Sequence, residues 1–284
     1  MTRISFINGK FLPHDECVVH IEDRGFQFAD GVYEVTLMVN GKFIDGDGHI
    51  ERLFRSLREV KIEHSFTKLD IENVMSELFA HNKLSSGTCY LQITRGQTAR
   101  TPNCPKGLWP TICATVSPAK SVSKEEFEAG FTAMTHDDIR WQRCDIKTVG
   151  LLASTLINQK AKDAGFNDAI FVRNGVVTEG SYANIFIVDV AGNLVTKAAS
   201  NHILCGITRN RMIDLAKKNG INVVEKDFGV EELLSAKEVF MTSSSLILRP
   251  FTKIDGKIIS NGKPGKIARL LNEEYKKFIS EVSA

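Results

Sequence analysis

The sequence predicts an α+β fold of two domains: a smaller, hairpin-rich N-terminal domain and a larger C-terminal domain of mixed strand and helix. Three observations predict it. Gly-containing turn pairs between apolar flanks recur along the chain, which makes antiparallel strands abundant. Several long stretches carry helical apolar spacing. Strand and helix do not alternate regularly, which argues against a doubly wound parallel sheet. The 284 residues suffice for two ordinary domains, each with its own core.

The hairpin signals recur from end to end of the chain. "ISFINGKFL", "LMVNGKFI", "IFVRNGVVT", "VDVAGNLVT" and "TKIDGKII" each set Asn-Gly, Asp-Gly or a related pair between β-formers. Asn and Gly supply the positive φ angles of a two-residue type I′ turn. Helices follow from periodicity. In "DGHIERLFRSLREVKI", Ile50, Leu53, Phe54, Leu57 and Val60 share a face, and Asp47 is placed to cap the start. "IENVMSELFAHNKL" repeats the pattern with Ile71, Val74 and Leu78. "GLLASTLINQKAKDAG" and "GITRNRMIDLAKKNG" end at Gly165 and Gly220, and "KIARLLNEEYKKFISEV" forms the last helix. The polar stretch "SPAKSVSK" reads as an interdomain linker at 117–124, between a smaller domain at 1–116 and a larger one at 125–284.

Composition narrows the class. Apolar residues make up 43% and charged residues 25%, with a net charge of +2, so nothing points to a nucleic-acid partner. Six cysteines lie without CxxC or Cys/His spacing, so neither a zinc site nor a disulfide framework is expected. No stretch approaches the roughly 20 apolar residues of a membrane span, and no signal peptide is read; the expectation is a cytoplasmic protein.

Four sets of residues could carry chemistry. Lys147, in "CDIKTV", lies between apolar residues at what reads as a strand end. An enclosed lysine loses its charge readily and its amine attacks carbonyls, whereas a strand-edge lysine is ordinary surface. Glu179, in "VVTEGSYANIF", is either a turn residue or an acid beside a ligand that the small Gly180, Ser181 and Ala183 allow to approach. Opposite a pyridine nitrogen such a carboxylate keeps the ring protonated. The helix start at Gly206, Ile207 and Thr208 offers free amides to an anion, and the hydroxyl run from Thr242 to Ser245 is either a second anion contact or a polar turn. Arg52, on the flank of its helix, either snorkels or grips a phosphate. No GxSxG elbow accompanies the serines.

The order of these motifs is that of a known group. "RGFQFADGVYEV", "HIERLFRSL", "QITRGQTAR", "IKTVGLLASTLINQKAKDAG", "EGSYANIF" and "GITR" make the chain resemble, over nearly its whole length, the fold-type IV pyridoxal-phosphate enzymes. That group holds branched-chain aminotransferases, D-amino-acid aminotransferases and aminodeoxychorismate lyase. The resemblance implies pyridoxal 5'-phosphate as cofactor. Lys147 would hold it through a Schiff base, and Glu179 would face its ring nitrogen. Arg52, Ile207 and Thr208, with Thr242 or Ser243, would bind its phosphate. "DGVYEV" is similar to the D-amino-acid aminotransferases, in which a tyrosine, an arginine and a histidine hold the substrate carboxylate. Tyr33 and Arg100 match the first two, and Pro102 stands where the histidine is expected. The resemblance implies ping-pong transfer between a D-amino acid, such as D-alanine, and a 2-oxo acid, such as 2-oxoglutarate, in a homodimer. It leaves three alternatives: the lyase, an L-branched-chain aminotransferase, and a non-catalytic cofactor-binding protein.

Overall fold

A computed structural model describes residues 3–284. The chain divides into two compact units. The first comprises residues 1–120, the short return segment Ile146–Gly150 and the last residues, Val282–Ala284; the second comprises Ser121–Asp145 and Leu151–Glu281. Two pieces read in sequence as part of the larger domain therefore cluster with the first unit.

In chain order, the first unit contains β1 (Ile4–Ile7), β2 (Lys10–Pro13), α1 (Arg24–Phe28), β3 (Gly31–Val39), β4 (Lys42–Phe43), α2 (Gly46–Glu59), α3 (Lys68–His81), β5 (Gly87–Thr94) and β6 (Thr111–Ser117). Its strands form an antiparallel sheet in the order β2-β1-β6-β5-β3-β4. Strand alternation puts Val32, Leu91, Ile93, Ala114 and Val116 on one face. The apolar stripes of α2 (Ile50, Leu53, Leu57) and α3 (Ile71, Met75, Leu78) complete that core. Phe54, Val60 and Val74 are only partly buried at its margin.

The second unit contains α4 (Lys124–Ala129), β7 (Phe131–Asp137), α5 (Leu152–Asp163), β8 (Asp168–Arg173), β9 (Val176–Gly180), β10 (Asn184–Val188), β11 (Leu194–Thr196), α6 (Ile207–Lys218), β12 (Val223–Glu225), α7 (Val230–Ser235), β13 (Glu238–Ser243), β14 (Ile247–Ile254), β15 (Lys257–Ile258) and α8, which runs from Lys266 to Val282. Its nine strands form a mixed sheet ordered β12-β11-β10-β13-β14-β7-β8-β9, with β15 on β14. The pairs β7–β8, β7–β14 and β11–β12 are parallel. The fold is thus α+β, and its strand neighbours are joined by hairpins more often than by crossovers.

The turn chemistry works as the sequence predicts at β1–β2, β3–β4, β8–β9 and β14–β15. There Asn8-Gly9, Asn40-Gly41, Asn174-Gly175 and Asp255-Gly256 all have positive φ, the geometry of type I′ turns. The β10–β11 connection differs: the pairing closes at Val188–Leu194, so a longer loop held by Asp189 replaces the two-residue turn. The start of α2 also differs. Its N-cap is Asp45, in left-handed conformation and without a side-chain cap bond, because the turn after β4 delivers the chain two residues earlier than Asp47. The linker region holds a helix start: Ser123 and Glu126 form a capping box that opens α4. At the far end, Glu238 caps α8 by accepting from the amides of Ile267 and Ala268.

Candidate active site

Lys147 lies on an irregular segment rather than a strand end. That segment is pinned to the start of β3: Tyr33 N–H donates to the Lys147 carbonyl (3.0 Å), Val149 N–H to the Gly31 carbonyl (3.0 Å), and Val32 bridges Thr148. The amide of Lys147 points at Ser56 Oγ (3.4 Å) on α2, and Ile146 is buried in the first core. A half-buried lysine so held cannot swing freely. Its Nζ lies 4.3 Å from the centroid of the Tyr33 ring, a distance at which the π face attracts the ammonium. Tyr33 in turn stacks on Tyr90 (5.5 Å), whose hydroxyl donates to Gln92. Two of the residues singled out in the sequence, Lys147 and Tyr33, are therefore neighbours.

Arg52 occupies a buried network. Its Nε and Nη2 donate to Glu34 Oε1 (2.7 Å) and Oε2 (2.8 Å), and His49 Nδ1 lies 2.8 Å from Oε2. All three side chains are buried. Burial pushes the Glu34 carboxyl up, but the Arg52 charge and fork, with the His49 bond, outweigh it and hold it well below the carboxylate range. Burial keeps His49 neutral, aided by the positive charges of Arg52 and Lys147 against the pull of Glu34. An ionised carboxylate only accepts, so the neutral ring donates from Nδ1. Sequence reading missed Glu34 and His49. The available signal was alternation, since Glu34 falls on the buried face of β3 with Val32 and Thr36.

Arg100 is exposed, its guanidinium 4.7 Å from the Phe28 ring. Arg24 lies equally close to that ring and donates to the Thr101 carbonyl (2.7 Å), which ties down the loop carrying Arg100 and Pro102.

In the second unit, Glu179 is buried at the end of β9. Arg140 Nη1 donates to its Oε1; Asn184 Nδ2 (3.2 Å) and the Leu204 amide (3.0 Å) donate to Oε2. Burial raises the carboxyl's proton affinity against these donors. Arg140 is itself fixed by Asp138, which also accepts from Thr178 and Arg173. Arg140 and Asn184 were not singled out in the sequence as site residues; the charged run "HDDIR" that ends at Arg140 carries no sign of a buried partner, and only the fold turns it inward.

The α6 start is built around Asn184. Asn184 Nδ2 donates to the Leu204 carbonyl (2.8 Å), and a β-carbon at Gly206 would sit 2.2 Å from Asn184 Oδ1. Gly206 is thus required by close approach. No side chain caps the α6 amides at Ile207 and Thr208. Thr208 Oγ1 lies 3.5 Å from Ser244 Oγ. Thr242 pairs in register with Asn184, is buried, and its hydroxyl has no hydrogen-bond partner among the described residues. Successive residues of a strand face opposite ways. Ser243 therefore turns from Thr242 and lines a different cavity. Of the alternatives read from the sequence, the α6 cup receives Thr242, together with Ser244, and not Ser243.

These donors fit a phosphate: uncapped helix amides, two hydroxyls at the helix start, and a buried hydroxyl without a partner. A carboxyl of raised proton affinity likewise fits a pyridine nitrogen. The sequence profile described as amino-transferase class IV matches residues 31–254. The chain belongs to this family. The D-alanine aminotransferase of Bacillus licheniformis is 41% identical over 262 residues, spanning 92% of each chain. That of Listeria monocytogenes strain 10403S is 40% identical over 272 residues, spanning 95% of this chain and 93% of its own. Among solved structures, a branched-chain amino acid aminotransferase of Escherichia coli superposes with a TM-score of 0.92 over 100% of this chain and 97% of its own, at 23% identity, a likeness of fold. This class IV aminotransferase thus acts on amino acids and 2-oxo acids, and pyridoxal phosphate is the cofactor its family uses.

Proposed function

We propose that this class IV aminotransferase moves the amino group of a D-amino acid, such as D-alanine, to a 2-oxo acid, such as 2-oxoglutarate. The carrying observation is that relatives named D-alanine aminotransferases match at 35–41% identity over nearly the whole chain. The neighbouring positions of Lys147 and Tyr33 support it.

Bound pyridoxal phosphate supplies an aldehyde that takes amino groups and a ring that accepts negative charge. Lys147 Nζ is the amine that would hold it and, when free, would take the proton from the substrate α-carbon and deliver one to the cofactor carbon that carries the nitrogen. The Tyr33 ring and the β3 bonds restrain that amine to one direction of approach. Glu179 holds the ring-nitrogen proton, with Arg140 and Asn184 fixing the orientation of its oxygens. Ile207 and Thr208, with Thr242 and Ser244, bind the phosphate. Arg52, braced by Glu34 and His49, is the further cation proposed for the phosphate. Tyr33 and Arg100 receive the substrate carboxylate, and Pro102 supplies no hydrogen bond where a histidine is expected.

The working form we propose is a cytoplasmic homodimer. In support, Val18, Ile21, Phe26 and Trp109 of the first unit are exposed apolar side chains of the kind a subunit interface covers. Among the described residues, no helix is long and apolar enough to cross a membrane.

A panel of D- and L-amino acids with 2-oxoglutarate, followed by 2-oxo acid formation, tests the reading. D-Alanine is expected to be a faster donor than L-leucine. The reverse order would move the enzyme to the L-branched-chain type, and pyruvate release from aminodeoxychorismate without an acceptor would make it a lyase. Lys147→Ala is expected to abolish transfer; unchanged activity in that variant would remove the lysine from the chemistry.

A further inference from the structure

The second unit contains a cavity of about 270 Å³ lined by residues that the aminotransferase chemistry does not use. Its polar lining includes Asn158 and Lys162 of α5, Asp168 at the start of β8, Ser243 and Ser245 at the β13–β14 turn, and Arg249 of β14. At about 30 Å³ per water, it holds roughly nine waters' worth of space, more than a single small ion fills.

The charge balance favours an anion. Arg249 and Lys162 bring two cations, and Asp168 is the acid of the lining. Asp168 is engaged through one oxygen: its Oδ1 accepts from Ser181 Oγ, from the Ala169 amide (2.8 Å) and from Asn158 Nδ2 (3.4 Å); Lys162, an exposed side chain, donates one hydrogen to the Asn167 carbonyl and keeps two for a ligand. Arg249 rests on the Phe131 ring at 4.8 Å, makes no ion pair among the described residues, and buries an Nε with no acceptor. Burial depresses its proton affinity despite the charges of Asp168 and Glu126, as expected of a cation that lacks its counter-ion. The hydroxyls of Ser243 and Ser245 line the same space and donate to nothing among the described residues. Arg249 is half-buried, and its buried Nε is costly without an acceptor unless a ligand supplies one. A planar fork, an ammonium and two hydroxyls are a donor set for a tetrahedral oxyanion.

This cavity shares no residue with the α6 cup. Thr242 and Ser243 alternate to opposite faces of β13, and Thr208 and Ser244 are not in the lining. We propose that the cavity is a second oxyanion site, which takes a dianionic phosphate group on Arg249 and Lys162 with the Ser243 and Ser245 hydroxyls.

The test is calorimetric titration of the cofactor-loaded enzyme with inorganic phosphate, at fixed ionic strength in a buffer without other oxyanions. Loading the cofactor fills the α6 cup beforehand. Saturable uptake of one phosphate per chain is expected. Arg249→Gln should weaken it at least tenfold and Lys162→Gln several-fold, while Lys276→Gln, on the exposed face of α8, should leave it unchanged. No saturable uptake would overturn the proposal, as would uptake indifferent to both cavity variants. If Arg249→Gln fails to fold, Lys162→Gln decides alone. Glycerol 3-phosphate binding more tightly than inorganic phosphate would identify a phosphomonoester as the occupant, and weaker binding the free ion. Malonate binding as tightly as either would overturn the preference for phosphate. These readouts do not depend on which amino acid the enzyme prefers.

Discussion

Glu34→Gln tests whether the buried network behind Arg52 is structural ballast for the site. Glu34 accepts from three donors: Arg52 Nε on Oε1, and Arg52 Nη2 and His49 Nδ1 on Oε2. Glutamine offers one oxygen. With that oxygen in the Oε2 place, two bonds survive and the new amide meets Arg52 Nε donor to donor. Both side chains are buried, so water does not screen the loss. Removing one partner of a buried ion pair costs about 3–5 kcal/mol. The surviving bonds place this variant near the lower end, about 3 kcal/mol. For a chain of this size that corresponds to roughly 6–12 °C in Tm. The measurement is urea unfolding of the cofactor-free protein, because bound cofactor would add its own stabilisation. Hydrogen exchange at the β3 amides reads the first unit separately. The control is Glu51→Gln, whose 3.4 Å pair with Lys68 is exposed and should barely respond. A loss under about 1 kcal/mol, the range of exposed pairs, would refute the reasoning. The network also sets an acid limit. His49 is depressed in the folded state, so the unfolded chain binds its proton first and stability falls as pH drops below about 6.5. Glu34 is depressed too, so its contribution is present above about pH 4.3 and is lost progressively below it.

Three further outcomes are expected. Gly206→Ala forces the new methyl onto Asn184 Oδ1, loosening the hold on Glu179; kcat should fall while the cofactor stays bound, with a shifted absorption band. Thr242→Val removes a buried hydroxyl that has no partner among the described residues, so cofactor-free stability should not fall, while the cofactor should leave faster. A hydrogen bond to a charged group is worth about 1.5–3 kcal/mol, so retention measured by dialysis should weaken roughly 10- to 150-fold. Pro102→His supplies the expected carboxylate donor, and KM for D-alanine should fall several-fold with kcat little changed; an unchanged KM would mean that the loop does not present position 102 to substrate.

Local rules carried the sequence reading where structure is local. Asn-Gly and Asp-Gly turns located hairpins because positive φ is a property of two residues; helix stripes located α2 and α3 because burial has a 3.6-residue period, and terminal glycines marked the ends of α5 and α6. The short helices α1, α4 and α7 escaped, since a turn or two gives no periodicity to read. The lysine, the acid and the helix start were legible as types with alternative readings, and only their order along the chain separated those readings. Glu34, His49, Arg140 and Asn184 were not legible, because each matters through a partner distant in sequence. Nor did the hydroxyl run reveal which members face α6: that depends on the pleat of β13, which puts Thr242 on one side and Ser243 on the other.

The return of Ile146–Gly150 to the first unit has a consequence for synthesis. During translation β1 to β6 emerge first, yet the stitch that positions Lys147 arrives only after β7 has been made. Completion waits longer still: Asn40 Nδ2 donates to the carbonyl of Ser283 (3.3 Å), so residues beyond the body of α8 also join the first unit. A nascent chain released only as far as β6 holds the strands of the first sheet and lacks the segment that seats Lys147, so the amine is placed only once the chain has passed β7.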